Sequence, residues 1–237
     1  DINLQTMAHA SFNPRGILLL SSGSKVAIAR IAKKAAFKRG LALHATDTTD
    51  SVPTRSVADA FEVLPTSDRP DWADRLAALC ERNAIGLLIP TRHADLQALS
   101  RLQPQLESRG VAVSLSRPET LEICINKLDT AKFLSSIQSP TPETWLKREL
   151  APNAFAERLP LFAKPSSGSA SHGAGTIVTT EELATVPENW ILQTPARGAE
   201  YTVNLFLTRN GRPLCAIPHR RIAVESGEVV QARTERV

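Results

Sequence analysis

A lysine that precedes a run of small residues is the feature of this sequence best suited to chemistry. Lys164 and Pro165 end the apolar segment 161–165. The small residues of the loop that follows are Gly168, Ser169, Ser171 and Gly173. Backbone N–H groups of such a loop can approach phosphate oxygens closely, and the lysine adds a positive charge. The segment predicts a phosphate-binding loop, with a polar hairpin that exposes its lysine as the alternative.

Two further polar segments lie elsewhere in the chain. The apolar run at 190–192 ends in Gln193, and Gly-Ala-Glu-Tyr follows at 198–201. Lys127 lies near the start of the helix-like segment 126–138.

The order of these segments resembles the ATP-grasp superfamily, particularly its carbamoyl-phosphate-synthase-like members. The ordered features are Asn126-Lys127, Pro-Thr-Pro at 140–142, Lys164-Pro165 with its loop, and Gly-x-Glu at 198–200. The resemblance covers residues 118–237, and the part before it resembles the family's pre-ATP-grasp domain. It implies a Rossmann-like domain with a parallel sheet, followed by an incomplete α+β ATP-grasp domain.

The resemblance assigns the nucleotide phosphates to two lysines. It implies that Lys127 and Lys164 neutralise the phosphates while the loop 168–173 closes over them. A solvated lysine at a helix N-terminus is the alternative for Lys127. Many relatives have glycine at the position of Ala170, where alanine restricts the backbone.

The adenosine is assigned to the segment that follows the loop. The resemblance implies that Gln193 and the backbone of Thr194 to Ala196 contact the adenine edge. It also implies that Glu200 accepts hydrogen bonds from the ribose hydroxyls. An exposed carboxylate on a strand is the alternative for Glu200.

The implied reaction is an ATP-dependent ligation. ATP phosphorylates a small carboxylate, and an amine or another nucleophile then displaces phosphate from the acyl phosphate. The implied cofactors are ATP and Mg²⁺, whose ligands are expected on strands beyond residue 237. We therefore expect a truncated ATP-grasp domain that is inactive alone. The alternatives are carbamoyl-phosphate-type use of bicarbonate or carbamate, and a non-catalytic nucleotide-binding or scaffold protein.

The first part of the chain alternates short apolar runs with helix-like segments, which predicts βαβ units and a parallel sheet. The strands are predicted at 17–21, 41–46, 60–64, 85–89 and 111–113. The helices between them are predicted at 24–39, 71–82 and 94–109. We expect an N-terminal extension at 1–15, with Met7 as a candidate start, and a first domain at 16–117.

Closely spaced strands in the later part predict an antiparallel sheet and a second domain at 118–237. Pro118 suits the first turn of a helix. The strands are predicted at 144–147, 161–164, 176–179, 190–193, 201–208, 213–224 and 228–234. Asn210-Gly211 and Ser226-Gly227 lie between strands, where such pairs form hairpin turns.

Three further polar features are weaker candidates. Arg220 and Arg221 either face the cleft, as possible catalytic residues that hold a carboxylate or phosphate, or lie on a solvent-exposed edge. Residues 22–25 read Ser-Gly-Ser-Lys but lack the P-loop spacing. Asp47, at the end of the second predicted strand, has the position of a ribose-binding acid in a dinucleotide fold, but we interpret it as a loop acid.

The composition limits the classes of partner that the protein is expected to bind. The net charge is +4, but aromatic residues make up only 5%, and no segment alternates rings with cations as in binders of single-stranded nucleic acid. The three cysteines lack CxxC spacing, so a cytoplasmic protein without a disulfide framework or zinc site is expected. No apolar run has the length of a membrane span. A nucleotide and a small carboxylate are the expected partners, without nucleic acid or membrane; the oligomeric state stays open, with a homodimer as one option.

Overall fold

The computed structural model of the protein describes residues 13–149, 152–168, 173–208, 210–225 and 228–236. The chain divides into two compact units, Asp1–Leu121 and Glu122–Val237. Most of the predicted extension 1–15 lies outside the described residues, as do Ser226 and Gly227. The predicted domain limits at 16–117 and 118–237 stay a prediction.

Five strands form the sheet of the first unit. They are β1 (Gly16–Leu20), β2 (Ala42–Asp47), β3 (Ala60–Val63), β4 (Ile85–Pro90) and β5 (Ala112–Val113). Their order is β3-β2-β1-β4-β5, and every neighbouring pair is parallel. All of β1 is buried, as expected for a parallel strand covered on both faces. The predicted α/β fold with a parallel sheet is confirmed.

Three helices lie between these strands: α1 (Val26–Phe37), α2 (Trp72–Arg82) and α3 (Leu96–Ser108). Beyond α1, Gly40 has a φ of +67° and the Leu41 N–H donates to Ala36 O at 3.0 Å. Glycine is the residue best suited to end a helix in this way. Leucines of β1, β4, α2 and α3 form the main core: Leu18, Leu20, Leu76, Leu79, Leu88, Leu99 and Leu106.

Four helices precede or connect the strands of the next sheet along the chain. They are α4 (Pro118–Ile125), α5 (Lys127–Ser136), α6 (Pro152–Ala156) and α7 (Thr180–Thr185). The sequence analysis did not predict α6 and α7. The latter begins with a capping box formed by Thr179 and Glu182, whose Thr-x-x-Glu signature is visible in the sequence.

Four antiparallel strands form the first sheet of the second unit. They are β6 (Thr144–Leu146), β7 (Leu161–Pro165), β8 (Gly175–Ile177) and β9 (Trp190–Gln193), in the order β6-β9-β7-β8. Leu161 and Leu192 pack on one face with Phe155 of α6. Ile191 packs on the other face with Leu128 of α5. Helices therefore cover both faces of this four-stranded sheet.

A three-stranded antiparallel sheet follows. It consists of β10 (Tyr201–Leu207), β11 (Pro213–Glu225) and β12 (Glu228–Thr234). The predicted turn at Gly211 is present, with a φ of +76° and its N–H donating to Thr208 O at 2.9 Å. Large apolar side chains remain exposed in this sheet, Leu205 at 57%.

Across the described ranges of the whole chain, no helix combines the length and apolarity that a membrane crossing requires.

Candidate functional site

Lys127 is positioned by the N-terminal cap of α5. Asn126 has an extended backbone, and its Oδ1 accepts from the Leu128 N–H at 2.9 Å and the Asp129 N–H at 3.4 Å. The asparagine satisfies N–H groups that the helix leaves without partners. Because Leu128 packs against the four-stranded sheet, Lys127 is held next to that sheet.

Lys164 lies on the face of the sheet that α5 covers. Ala163 is buried in the opposite core, and side chains alternate along a strand, so Phe162 and Lys164 point to the other face. There Lys164 pairs in register with Ile191, which packs against α5. The Lys164 Nζ lies 5.8 Å from the centroid of the Phe162 ring. Strand β7 and helix α5 thus bring Lys164 and Lys127 to one face.

Lys127 also holds the start of the small-residue loop. Its backbone N–H donates to Ser166 O at 2.7 Å, and its Nζ donates to Gly168 O at 2.8 Å. These two bonds join the beginning of α5 to the chain that leaves β7. The predicted phosphate lysine is therefore in direct contact with the predicted phosphate loop.

Glycines at both ends of the loop have conformations that other residues rarely adopt. Gly168 has a φ of +94° and Gly173 a φ of +72°. A Cβ atom on Gly173 would also lie 2.8 Å from Trp190 Cη2. Both glycines are required by the backbone path. The predicted loop residues Ser169, Ala170 and Ser171 lie outside the described residues.

The two lysines are partly desolvated cations. Burial lowers the pKa of Lys127, and burial together with the charge of Lys127 lowers the pKa of Lys164. Within the described parts of the chain, neither Nζ forms an ion pair with a carboxylate. An anion between two such cations favours their charged forms. The arrangement therefore suits a polyanionic ligand.

Gln193 lies on the face of the lysines, but its amide is already bonded. It pairs in register with Thr144, and its Nε2 donates to Thr144 Oγ1 at 2.7 Å. The Thr194 N–H donates to Glu143 O at 3.1 Å. Among the described residues, the Ala196 N–H has no hydrogen-bond partner. Ala196 therefore supplies the available donor of the predicted adenine-binding segment.

Glu200 forms an ion pair immediately before β10. Its Oε1 lies 3.1 Å from Arg221 Nε, and the Arg221 N–H donates to Glu200 O at 2.8 Å. The Glu200 side chain is 67% exposed, so it stays accessible to a ligand. Its predicted contact with ribose stays a prediction.

Arg220 lies near a different carboxylate. Its Nη1 is 3.8 Å from Glu235 Oε1, an oxygen that accepts from Arg233 Nε at 2.9 Å. The Tyr201 hydroxyl donates to Glu235 Oε2 at 2.9 Å. Arg220 and Arg221 are candidates from the sequence alone, whereas Arg233 and Glu235 are not. Hairpin register is the signal that finds them, because Arg220 lies directly opposite Arg233.

Asp47 has a local role in the first unit. Its carboxylate accepts from the Gly23 N–H and from the Thr48 N–H, each at 2.7 Å. A Cβ atom on Gly23 would lie 2.7 Å from Asp47 Oδ2. Asp47 is the last residue of β2, and its side chain supports the turn that follows β1.

Sequence models of two known families match consecutive parts of the chain. The PylC-like N-terminal domain matches residues 17–114, and the ATP-grasp domain matches residues 124–237. The chain belongs to the ATP-grasp superfamily. The resemblance seen in the sequence is confirmed at this level.

A curated ATP-grasp relative extends well beyond the length of this chain. The formate-dependent phosphoribosylglycinamide formyltransferase of Synechococcus sp. (strain CC9605) is 28% identical, and the match covers 86% of this chain. It covers 54% of the relative. The chain thus spans about half the length of the curated relative it matches.

Solved ATP-grasp structures share the fold. N5-carboxyaminoimidazole ribonucleotide synthetase from Thermotoga maritima has a TM-score of 0.66 at 20% identity, covering 87% of this chain and 53% of that one. The biotin carboxylase domain of Hydrogenobacter thermophilus 2-oxoglutarate carboxylase, solved with MgADP, ADP and bicarbonate, has a TM-score of 0.69 at 14% identity. That match covers 91% of this chain and 52% of the other.

No three His, Cys, Asp or Glu side chains of the described ranges lie together in a way that could hold a metal ion. Magnesium in nucleotide sites is commonly held by one or two carboxylates together with the substrate phosphates, a smaller protein ligand set than such a group of three.

Proposed function

We propose that this ATP-grasp chain binds ATP as part of an enzyme that joins a carboxylate to an amine or another nucleophile. The observation that carries the proposal is the placement of Lys127 and Lys164 beside a glycine-bounded loop on one face of the four-stranded sheet. The curated relative gives independent support, because the formate in its name is itself a carboxylate.

The lysines hold the nucleotide phosphates. Lys164 projects from β7 and Lys127 from the start of α5, so the two ammonium groups approach a polyphosphate from separate elements. Partial burial strengthens their attraction for phosphate oxygens, since the surrounding dielectric is lower than that of water. Lys127 keeps the start of the loop within reach of the same phosphates through its bond to Gly168.

The reaction transfers a phosphoryl group and then an acyl group. A carboxylate oxygen attacks the γ-phosphorus, the bond from phosphorus to the bridging oxygen breaks, and ADP leaves. A nucleophile then attacks the acyl carbon and inorganic phosphate leaves. Lys127 and Lys164 stabilise the negative charge that develops on ADP, because they are already in place before the reaction begins.

The adenosine lies along the end of β9. The Ala196 N–H and the Thr194 carbonyl face the adenine edge, while Gln193 is held by Thr144 and shapes the base pocket. Glu200 accepts from the ribose hydroxyls through the oxygen that Arg221 does not contact.

Calorimetric titration of the 237-residue chain with ADP tests the proposal. Lys164→Met and Lys127→Met are expected to weaken ADP binding by about tenfold or more, because each removes one charge-assisted contact. The matched control is Lys132→Met on the exposed side of α5, which should leave ADP binding unchanged. A folded chain that binds no ADP at about millimolar concentration, the range of weak sites, contradicts the proposal.

Two other functions carry different expectations. If bicarbonate or carbamate is the acceptor, adding it accelerates the formation of ADP from ATP, whereas adding other carboxylates does not. A non-catalytic nucleotide-binding or scaffold protein is the second alternative. ATP hydrolysis that Lys164→Met abolishes excludes that alternative.

A further inference from the structure

Arginines line an open, solvent-exposed cavity on the three-stranded sheet. The cavity has a volume of about 310 Å³ and is lined by Arg220, Arg221, Ile222 and Arg233. Sites for small molecules have volumes of about 300–1,000 Å³, so this one suits a ligand at the small end of the range. Three of the lining residues are cationic and one is apolar. The cavity therefore suits an anion that carries a short apolar part.

The arrangement of the arginines is unfavourable without a counter-charge. Arg220 of β11 lies directly opposite Arg233 of β12, and like charges at opposed positions destabilise a sheet. The internal counter-charge is Glu235, which lies two residues after Arg233 and has a side chain only 19% exposed. One carboxylate thus serves two guanidinium groups.

Glu235 does not satisfy both arginines. Its Oε1 accepts from Arg233 and its Oε2 accepts from the Tyr201 hydroxyl. Arg220 stays 3.8 Å from Oε1, beyond hydrogen-bond distance. Among the described residues, the Arg220 side chain donates no hydrogen bond, and it is 47% exposed. Arg220 is therefore the guanidinium with donors available to a ligand.

Arg221 differs from the other two. Its side chain is only 19% exposed, and Glu200 neutralises it at 3.1 Å. The electrostatic attraction of the cavity thus comes from Arg220 and Arg233.

We infer that Arg220 and Arg233 bind one oxyanion, the phosphate or carboxylate group of a small ligand, while Glu235 holds Arg233 in position. A guanidinium presents paired N–H donors that match the oxygens of either group. Ile222 contacts the apolar part of the ligand. This inference does not rest on nucleotide binding by the lysines.

Titration of the 237-residue chain without nucleotide tests the inference. Inorganic phosphate and succinate are added separately at constant ionic strength, with binding followed by calorimetry. The ¹³Cζ signal of Tyr201, the one tyrosine in the sequence, reports on the site because its hydroxyl bonds to Glu235. Saturable binding of either anion that shifts this signal is expected, and the tighter anion identifies the group recognised.

Arginine variants separate this site from general attraction to a basic protein. Arg220→Gln and Arg233→Gln are expected to weaken binding by about tenfold. Arg212→Gln is the matched control, since it removes the same charge from the connection between β10 and β11. Arg220→Lys, which keeps the charge and not the paired donors, should also weaken binding and covers the case in which Arg220→Gln does not fold.

Glu235→Gln is expected to change the affinity for the anion in the opposite direction. The Gln amide oxygen can still accept a hydrogen bond from Arg233 but carries no negative charge that opposes an anion, so tighter anion binding is expected. Absence of saturable binding of both anions up to about 10 mM, a concentration sufficient for weak sites, overturns the inference. Equal binding by the Arg220, Arg233 and Arg212 variants overturns it as well.

Discussion

The two sheets of the second unit present their cations in different surroundings. Helices cover both faces of the four-stranded sheet, and Lys127 and Lys164 are partly desolvated there without a carboxylate partner among the described residues. In the three-stranded sheet, Arg220 and Arg233 are about half exposed or more and share Glu235. Water and a carboxylate already stabilise the arginines, whereas the lysine pair is unfavourable until an anion binds. The lysines are therefore the stronger evidence for a ligand.

The largest expected effect is a difference in the free energy of unfolding between a mutation in the four-stranded sheet and one in the three-stranded sheet. Leu161→Ala should lower the free energy of unfolding by about 2–5 kcal/mol, because the side chain is fully buried and its removal leaves a cavity. Leu205→Ala, at a side chain 57% exposed, should change it by about 0.5 kcal/mol or less. Chemical denaturation measures both. Equal losses contradict the contrast in burial.

Two glycines with similar φ angles provide a second comparison. Gly173→Ala should cost about 1–3 kcal/mol, because the added methyl group meets Trp190 at 2.8 Å and φ is +72°. Gly211→Ala, with a φ of +76° and no atom near the added methyl, should cost about 1 kcal/mol from the backbone alone. If the two costs are equal in denaturation experiments, Trp190 does not constrain the loop.

Replacing Lys164, the proposed phosphate-binding lysine of β7, should stabilise the fold. The pKa of Lys164 is lowered from 10.5 in the folded chain, so its charge opposes folding below that lowered pKa. The opposition disappears as pH rises to 10.5, where the unfolded chain also loses the proton. Lys164→Met should therefore raise the free energy of unfolding at pH 7 by roughly 0.5–1 kcal/mol. The gain should shrink as pH rises from the lowered pKa of Lys164 toward 10.5, and Lys132→Met should show no comparable gain.

The smallest expected effect concerns Tyr201. Its hydrogen bond to Glu235 raises its pKa above 10.0, because the neutral hydroxyl is the donor. Glu235→Gln should lower this pKa toward the ordinary value. The absorbance of the single tyrosinate measures it directly. An unchanged pKa means that the bond does not persist in solution.

Much of the fold could be predicted from apolar periodicity. The alternation in the first part of the sequence predicts all five parallel strands to within a few residues, because each is a short apolar run. The pattern missed α6 and α7, which are only five and six residues long. Helices this short do not complete enough turns to show a helical period.

The candidate site was predictable in its residue types but not in its contacts. The order of motifs indicated Lys127 and Lys164, yet nothing in the sequence shows that Lys127 bonds to Gly168. Pairings that join distant residues, such as Gln193 with Thr144 and Glu200 with Arg221, depend on sheet register. Arg233 was missed because its significance arises only from its position opposite Arg220.

The pKa of Lys164, with and without ADP, tests the central claim most directly. Nuclear magnetic resonance of ¹³C-labelled lysine side chains measures it, and the signal is assigned by its loss in Lys164→Met. We expect a pKa below 10.5 in the free chain and a higher pKa when ADP is bound, because phosphate favours the charged ammonium. A Lys164 pKa that saturating ADP leaves unchanged contradicts the assignment of this lysine to the nucleotide phosphates.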